Sequence, residues 1–498
     1  MRLHQPAAFA AAHAQIFEHL CAATPHRSDD LDGLQPLYQA VRHGCLAGRQ
    51  QEACEKVYVE RILRGTGADG FYSQNKLGAI GANLGAVAAF FDEPWGRVSP
   101  NLTEPARAWV LNEAAFLLRA LGRLTEALWP MRVCGEIDIQ AEWWKQAAVS
   151  YSNLSELELT LGRLPDAVTH ARAAVAHADR SGDAFLRIAT RTDAADALHQ
   201  SGETAEAGRL LAEAERMQLE REPEFPLLYS LPGFRYCDWL LTPVERAAWR
   251  VLWSADLRPA PGAAADAPPV SPAPTAGPLE PDAATAANAD GQAPTDPLAA
   301  CIDVERRATT ALAVAVRSGS LLIIALDHLT LARARLLRAL LTGRRPPPGP
   351  APDALAAVAG LRRAGAVEFL ARGLLTAAWS QALRGDPDAA RAALDEAHQI
   401  AERGPMPLFL ADMRLDRARL WWAGLLDGGG ARSPGPSGQA APRPGRGQDA
   451  RAPAPYPWPD SSPAADLAEA RRLIVYHGYG RRLPELADAE AAILGLPA

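Results

Sequence analysis

Asp193, Asp196 and His199 sit three residues apart in succession, inside a stretch that reads as helix, so their side chains share one helical face. Two carboxylates and an imidazole on one face are the residue types that hold a divalent cation or relay a proton. The same pattern is also common on solvated helix faces. His170 and His177 are seven residues apart, about two helical turns, which is too far along the axis for an easy shared metal ion. Gly65-Thr66-Gly67-Ala68-Asp69-Gly70 matches G-x-G-x-x-G. Dinucleotide binding by that motif needs a strand before it and a helix opening on it. Residues 52–63 read as helix instead, so a hairpin loop is expected. The pair Trp143-Trp144 offers either a flat ligand platform or packing between repeats. No G-x-S-x-G, no H-E-x-x-H and no G-x-x-x-x-G-K-[ST] occurs in the 498 residues. No catalytic residue, metal or cofactor is therefore assigned, and the expectation is a protein that is not an enzyme.

The composition favours helices as the elements that position these groups. Ala, Leu and Arg dominate, and only 6% of residues are aromatic. Lysine occurs only at Lys56, Lys76 and Lys145, so arginine carries the positive charge. A formal net charge of −7 shows no basic surplus of the kind nucleic-acid binders carry. The six cysteines are scattered without C-x-x-C pairs, which points to reduced thiols and a cytoplasmic setting. The N-terminal apolar run is broken by His4, Gln5, Pro6 and His13, while Phe9, Ile16, Phe17 and Leu20 share a face; an amphipathic helix is expected there rather than a cleaved leader. The most apolar stretch, Leu321–Leu341, contains Asp327, His328, Arg333, Arg335 and Arg338, so no membrane partner is expected.

One phrase recurs along the chain. Leu121-Gly122-Arg123-Leu124-Thr125-Glu126-Ala127 returns as Leu161-Gly162-Arg163-Leu164-Pro165-Asp166-Ala167 and as Ser201-Gly202-Glu203-Thr204-Ala205-Glu206-Ala207. Gly48 to Ala53 and Gly385 to Ala390 repeat it more loosely. The glycine ends one helix, where a left-handed backbone costs it little. The acid opens the next helix at the positive end of its dipole. The small residue after it recurs seven positions on, as Ala127 and Cys134, Ala167 and Ala174, Ala207 and Ala214, Ala390 and Ala397. A seven-residue step returns to one helical face, so these positions mark close helix approach.

This rhythm resembles the tetratricopeptide repeat. The bulky first-helix positions of that family fall on Leu111 and Leu118, on Tyr151 and Glu158, and on Arg191 and Leu198, so the match there is partial. The resemblance implies an all-α architecture, an α-solenoid of helical hairpins whose first helices line a concave wall. Projecting the inward positions through the repeat register selects Trp109, Asn112, Phe116, Arg119, Ser152, Glu156, Thr160, Thr192, Asp196, His199 and Gln200 as partner-binding residues. Their mix of aromatic, amide and charged groups suits a protein or peptide.

Longer phrases resemble the C-terminal repeat region of bacterial signalling NTPases of the NACHT or STAND kind. They include residues 37–45 (LYQAVRHGC), 70–73 (GFYS), 153–157 (NLSEL), 179–185 (DRSGDAF), 229–238 (YSLPGFRYCD), 372–375 (RGLL) and 477–482 (HGYGRR). The resemblance implies a sensor or binding arm, with a signalling NTPase among its candidate partners; without a phosphate-binding loop, the chain reads as a separated sensor subunit or as a fragment of a split protein. A small-molecule sensor or enzyme subunit using the concave wall is the alternative, with Asp193, Asp196 and His199 as its polar cluster. By composition the chain divides into helical arrays at 1–256 and 300–427, a C-terminal cap at 463–498, and Ala/Pro- or Gly/Pro-rich insertions at 257–299 and 428–462 that are expected to be disordered.

Overall fold

The computed structural model describes residues 5–67, 70–254, 295–426 and 455–496. These residues are helical throughout, apart from loops and one short hairpin. The N-terminal part holds α1 (Pro6–Ala23), α2 (Leu31–Leu46), α3 (Gln50–Glu52), α4 (Tyr72–Asn75) and α5 (Ile80–Val87). α3 runs on into a π-helix at Ala53–Ile62. A hairpin of β1 (Phe91–Glu93) and β2 (Arg97–Val98) follows. The repeats come next as α6 (Glu104–Ala120), α7 (Leu124–Gln140), α8 (Trp144–Thr160), α9 (Leu164–Ser181), α10 (Ala184–Ser201), α11 (Thr204–Arg221) and the long α12 (Ser230–Ser254). The second array holds α13 (Pro297–Ser318), α14 (Leu321–Leu341), α15 (Pro352–Ala364), α16 (Val367–Leu383), α17 (Pro387–Arg403) and α18 (Pro407–Trp422). It ends in α19 (Pro463–His477) and α20 (Leu483–Leu494). Consecutive helices pack in pairs along most of the chain. No helix among the described residues is long and apolar enough to cross a membrane.

The helix boundaries follow local chemistry. The side chains of Asp183, Asp386 and Ser462 each accept a hydrogen bond from a backbone N–H in the first turn of α10, α17 and α19. Gly122, Gly162, Gly202 and Gly385 all have positive φ, between 71° and 95°. The small residues of the repeat are buried where helices approach. Ala127, Ala167, Ala174, Ala207, Ala214 and Ala390 are fully covered, and Cys134 and Ala397 nearly so.

The repeat turns also dock on the second array, which the repeat pattern does not predict. A Cβ on Gly122 would lie 3.3 Å from the side chain of Val367 in α16. One on Gly162 would collide with Pro407 and His477. One on Gly202 would press on the Gly480 backbone at 3.2 Å. Three turns spaced 40 residues apart thus meet α16, α18 with α19, and the turn before α20. Core packing spans the same junction: Trp249 of α12 stacks on Trp379 of α16 with centroids 4.4 Å apart, and Leu164 of α9 joins the core of α18, α19 and α20.

The edges of the expected disordered insertions are corrected. Residues 295–299 are ordered: Asp296 caps α13 through the Leu298 N–H, and Pro297 takes a first-turn position that needs no N–H donor. Residues 455–462 are ordered as well. Tyr456 packs edge-on against Trp421, and the Arg417 guanidinium lies 3.7 Å from the Trp458 ring centre. Those two aromatics supply the anchor that the surrounding composition lacks. The rest of both insertions lies outside the described residues.

Candidate functional site

The residues selected as an inner wall do not form an open concave surface: Trp109, Asn112, Phe116, Glu156, Thr160 and Asp196 are half-buried. Arg119, Ser152, Thr192, His199 and Gln200 are all buried. His199 meets Thr242 of α12, Arg119 meets Glu368 of α16, and Gln200 meets Arg481 in the turn before α20. What survives between the arrays is a central cleft of about 700 Å³, counting its open mouth. Its walls come from six helices and one turn. α6, α8 and α10 give Arg119, Glu156, Leu159, Thr160, Asp196 and Gln200; α12 gives Phe234 and Arg235; α16 gives Glu368, Phe369 and Arg372; α18 gives Leu408 and Phe409; Tyr479 completes it. A second cleft, of about 720 Å³ counting its open mouth, shares Glu156 and Arg235 and includes Ser152, Asn153, Asp193, Gln218 and Tyr229.

A charged network divides and floors these clefts. Arg119 reaches Glu156 at 2.5 Å and Glu368 at 2.9 Å. Arg235 bridges Glu156 and Asp193, and Ser152 donates to the Asp193 carboxylate. Below them Asp238 accepts from Arg481 at 2.7 Å and from Arg333 at 2.6 Å, with Arg372 at 3.3 Å. Burial pushes the Asp238 carboxyl up, but Arg481, Arg372 and Arg333 outweigh it and hold the group well below the usual carboxylate range. Arg482 meets Asp412, Glu245 and Glu485 at 2.7–3.0 Å. Charges this deep persist only when each is matched, and here opposite signs alternate.

Asp196, His199 and Asp238 offer ligand atoms within 4.8 Å of one another. They are a poor cation site. Asp238 is already surrounded by three guanidiniums, and burial together with Arg481 drives the His199 pKa well below its usual value. The neutral imidazole uses Nε2 on the Thr242 hydroxyl at 3.0 Å. A divalent ion would have to displace or face the arginines. Asp193 of the expected cluster turns instead to Arg235.

The other sequence candidates resolve into packing. His170 contacts Glu158 at 2.6 Å, and His177 stacks on Trp144, whose other neighbour is the Arg180 guanidinium at 3.6 Å. Trp144 is therefore already stacked, and Trp143 packs against the N-terminal core. Gly65 and Gly70 close a tight loop after the π-helix: a Cβ on Gly70 would lie 2.2 Å from the Gly65 carbonyl oxygen. Ala68 and Asp69 lie outside the described residues. The five buried cysteines and the half-buried Cys21 carry free thiols.

Of the wall residues, Arg119, Glu156, Thr160, Asp196 and Gln200 line the central cleft, and Ser152 and Glu156 line the second. Trp109, Asn112, Phe116, Thr192 and His199 line neither. Trp109 packs near Tyr58, Asn112 accepts from Asn153 at 3.1 Å, Phe116 flanks Arg119, and Thr192 bonds the Ala189 carbonyl. Repeat register alone did not reach Phe234, Arg235, Glu368, Phe369, Arg372, Phe409 or Tyr479. Four of these lie in the phrases 229–238, 372–375 and 477–482, and that clustering was the available signal. Neither a scan against protein families nor a search of curated proteins finds a match for this chain.

Proposed function

We propose that this chain is a non-catalytic sensor arm, a helical-repeat array closed on itself, that binds a small ligand in the central cleft. The observation that carries this reading is the cleft itself: two arrays meet around a solvent-open space whose walls combine ion pairs of both signs with three phenylalanine rings. A concave space with an apolar body and a few convergent polar groups is the usual form of a small-molecule site. Because the walls come from both arrays, a bound ligand would favour the closed arrangement by its differential contacts. Closure would be the signal passed on.

The resemblance to the repeat arm of signalling NTPases supports a protein as the recipient of that signal, in a cytoplasmic setting. Val475 and Tyr476 of α19 stand exposed side by side, 60% and 76% accessible, beside the docked turn. They suit such a contact.

The test is a retention experiment. The immobilised chain is exposed to a small-molecule extract of its native cells, and bound compounds are read by mass spectrometry. A defined compound should be retained by the native chain and lost on Phe409→Ala, with helicity unchanged. Retention that is indifferent to Phe409→Ala, or no retained compound, overturns the reading.

A further inference from the structure

Two groups in the central cleft are less committed than the rest. Arg372 has one carboxylate within ion-pair reach, Asp238 at 3.3 Å, and that carboxylate is already held more closely by Arg481 and Arg333. The Phe234 and Phe409 rings lie 5.6 and 5.9 Å from its guanidinium carbon, and the Asp196 carboxylate feels its charge without an ion-pair contact. Asp196 is the counterpart. It accepts from the Gln200 amide at 2.7 Å, and its nearest cation is Arg235 at 4.0 Å. Arg119, Glu156 and Arg235, by contrast, are paired directly, Arg119 with Glu156 and Glu368, and Arg235 with Glu156 and Asp193. No ion pair joins Asp196 to Arg372 among the described residues, although both line the same space.

We infer that the cleft takes a small zwitterion with an apolar or aromatic side chain, an α-amino acid or the end of a peptide. Its carboxylate meets Arg372, its ammonium meets Asp196, and its side chain lies among Phe234, Phe369 and Phe409. The guanidinium fork matches a carboxylate in two parallel hydrogen bonds. Burial raises the Asp196 carboxyl against the pull of Arg372, so an arriving ammonium relieves an under-neutralised acid. The three rings provide the apolar floor that a hydrophobic side chain needs. A ligand of one sign would engage Arg372 or Asp196 but not both, which is the basis of selectivity.

This assignment rests on the cleft being the binding site, and the experiment separates the two. The full chain is titrated calorimetrically with L-phenylalanine, hydrocinnamate and phenethylamine. Phenylalanine should bind at least tenfold more tightly than either analogue. Arg372→Gln should erase the advantage over phenethylamine, and Asp196→Asn the advantage over hydrocinnamate. Arg372→Lys, which keeps the charge without the fork, should fall between, and circular dichroism establishes that each variant is folded. A glycyl-phenylalanine arm distinguishes the sources: tighter binding of the free amino acid identifies that ligand, and tighter binding of the dipeptide identifies a peptide end. Equal affinity for all three compounds, or unchanged binding by folded variants, overturns the zwitterion. If no zwitterion binds but a cell compound is retained in a manner dependent on Phe409, the zwitterion falls and the cleft stands. If neither is seen, both fall.

Discussion

At the residue scale, Asp193 pairs with Arg235, Asp196 accepts from Gln200, and His199 meets Thr242. Asp193, Asp196 and His199 do share one side of α10, as their spacing requires. What spacing alone did not show is that arginines on distant segments would surround them. Arg235, Arg372 and Arg481 lie 39 to 285 positions beyond Asp196, and no local pattern reveals their approach. A second buried polar group lies far from the cleft. Glu113 accepts hydrogen bonds from Tyr58 and Gln74 in the N-terminal core, and burial pushes its carboxyl up to about 7 against their lowering influence. The neutral acid is therefore the form favoured by folding. Between its ordinary value of 4.5 and about 7, the folded state holds the proton and the unfolded state releases it. Stability from this group is full below about pH 4.5 and declines as pH rises through 7, by roughly 3 kcal/mol. Denaturant unfolding of Glu113→Gln should lack that decline. Parallel pH profiles for the two proteins would remove Glu113 as its source.

At the element scale, most of the architecture was legible. The glycine, acid and small-residue phrase located turns, helix starts and close contacts at α6 to α11 and at α16 to α17. The small positions lie where neighbouring helices leave no room. Ala167→Leu should therefore overpack the contact of α9 with α8 and cost about 1–3 kcal/mol, read as a lowered melting temperature. An unchanged transition would place Ala167 in a looser contact than its burial indicates. The register failed in a different way at the turns. Gly202 has φ of 95° and touches the Gly480 backbone, so its lack of a side chain serves both conformation and docking. Gly202→Ala should lose roughly 1–2 kcal/mol from the strained backbone, with further loss from displacement of the turn before α20. Gly385 has the same sign of φ with open space around it, so Gly385→Ala should show the backbone penalty alone. Equal losses at the two sites would count against docking at Gly202.

At the scale of the whole molecule, the second array fills the wall that the repeat pattern would leave open. Repeat periodicity describes each hairpin and its neighbour; it carries no information about contacts 280 residues away. Those contacts were nonetheless written in the sequence as irregular phrases outside the repeat. Residues 477–482 place Gly480 on the Gly202 turn, Arg481 on Asp238 and Gln200, and Arg482 on Asp412 and Glu245. Because Arg481 is fully buried among acids, Arg481→Met leaves Asp238 under-compensated in the interior. It should destabilise the chain by about 3–5 kcal/mol, measured by denaturant unfolding. A loss below 1 kcal/mol would show that Arg333 and Arg372 neutralise Asp238 without it.

A ligand site formed where the two arrays meet would show in amide hydrogen exchange of the full chain with and without the small-molecule extract of its cells. Added protection should concentrate in α8, α10, α12, α16 and α18 around the cleft, and should disappear in the folded Phe409→Ala chain. Added protection confined to outer helix faces, such as the one carrying Val475 and Tyr476, with the cleft helices unchanged, would contradict a site in the cleft.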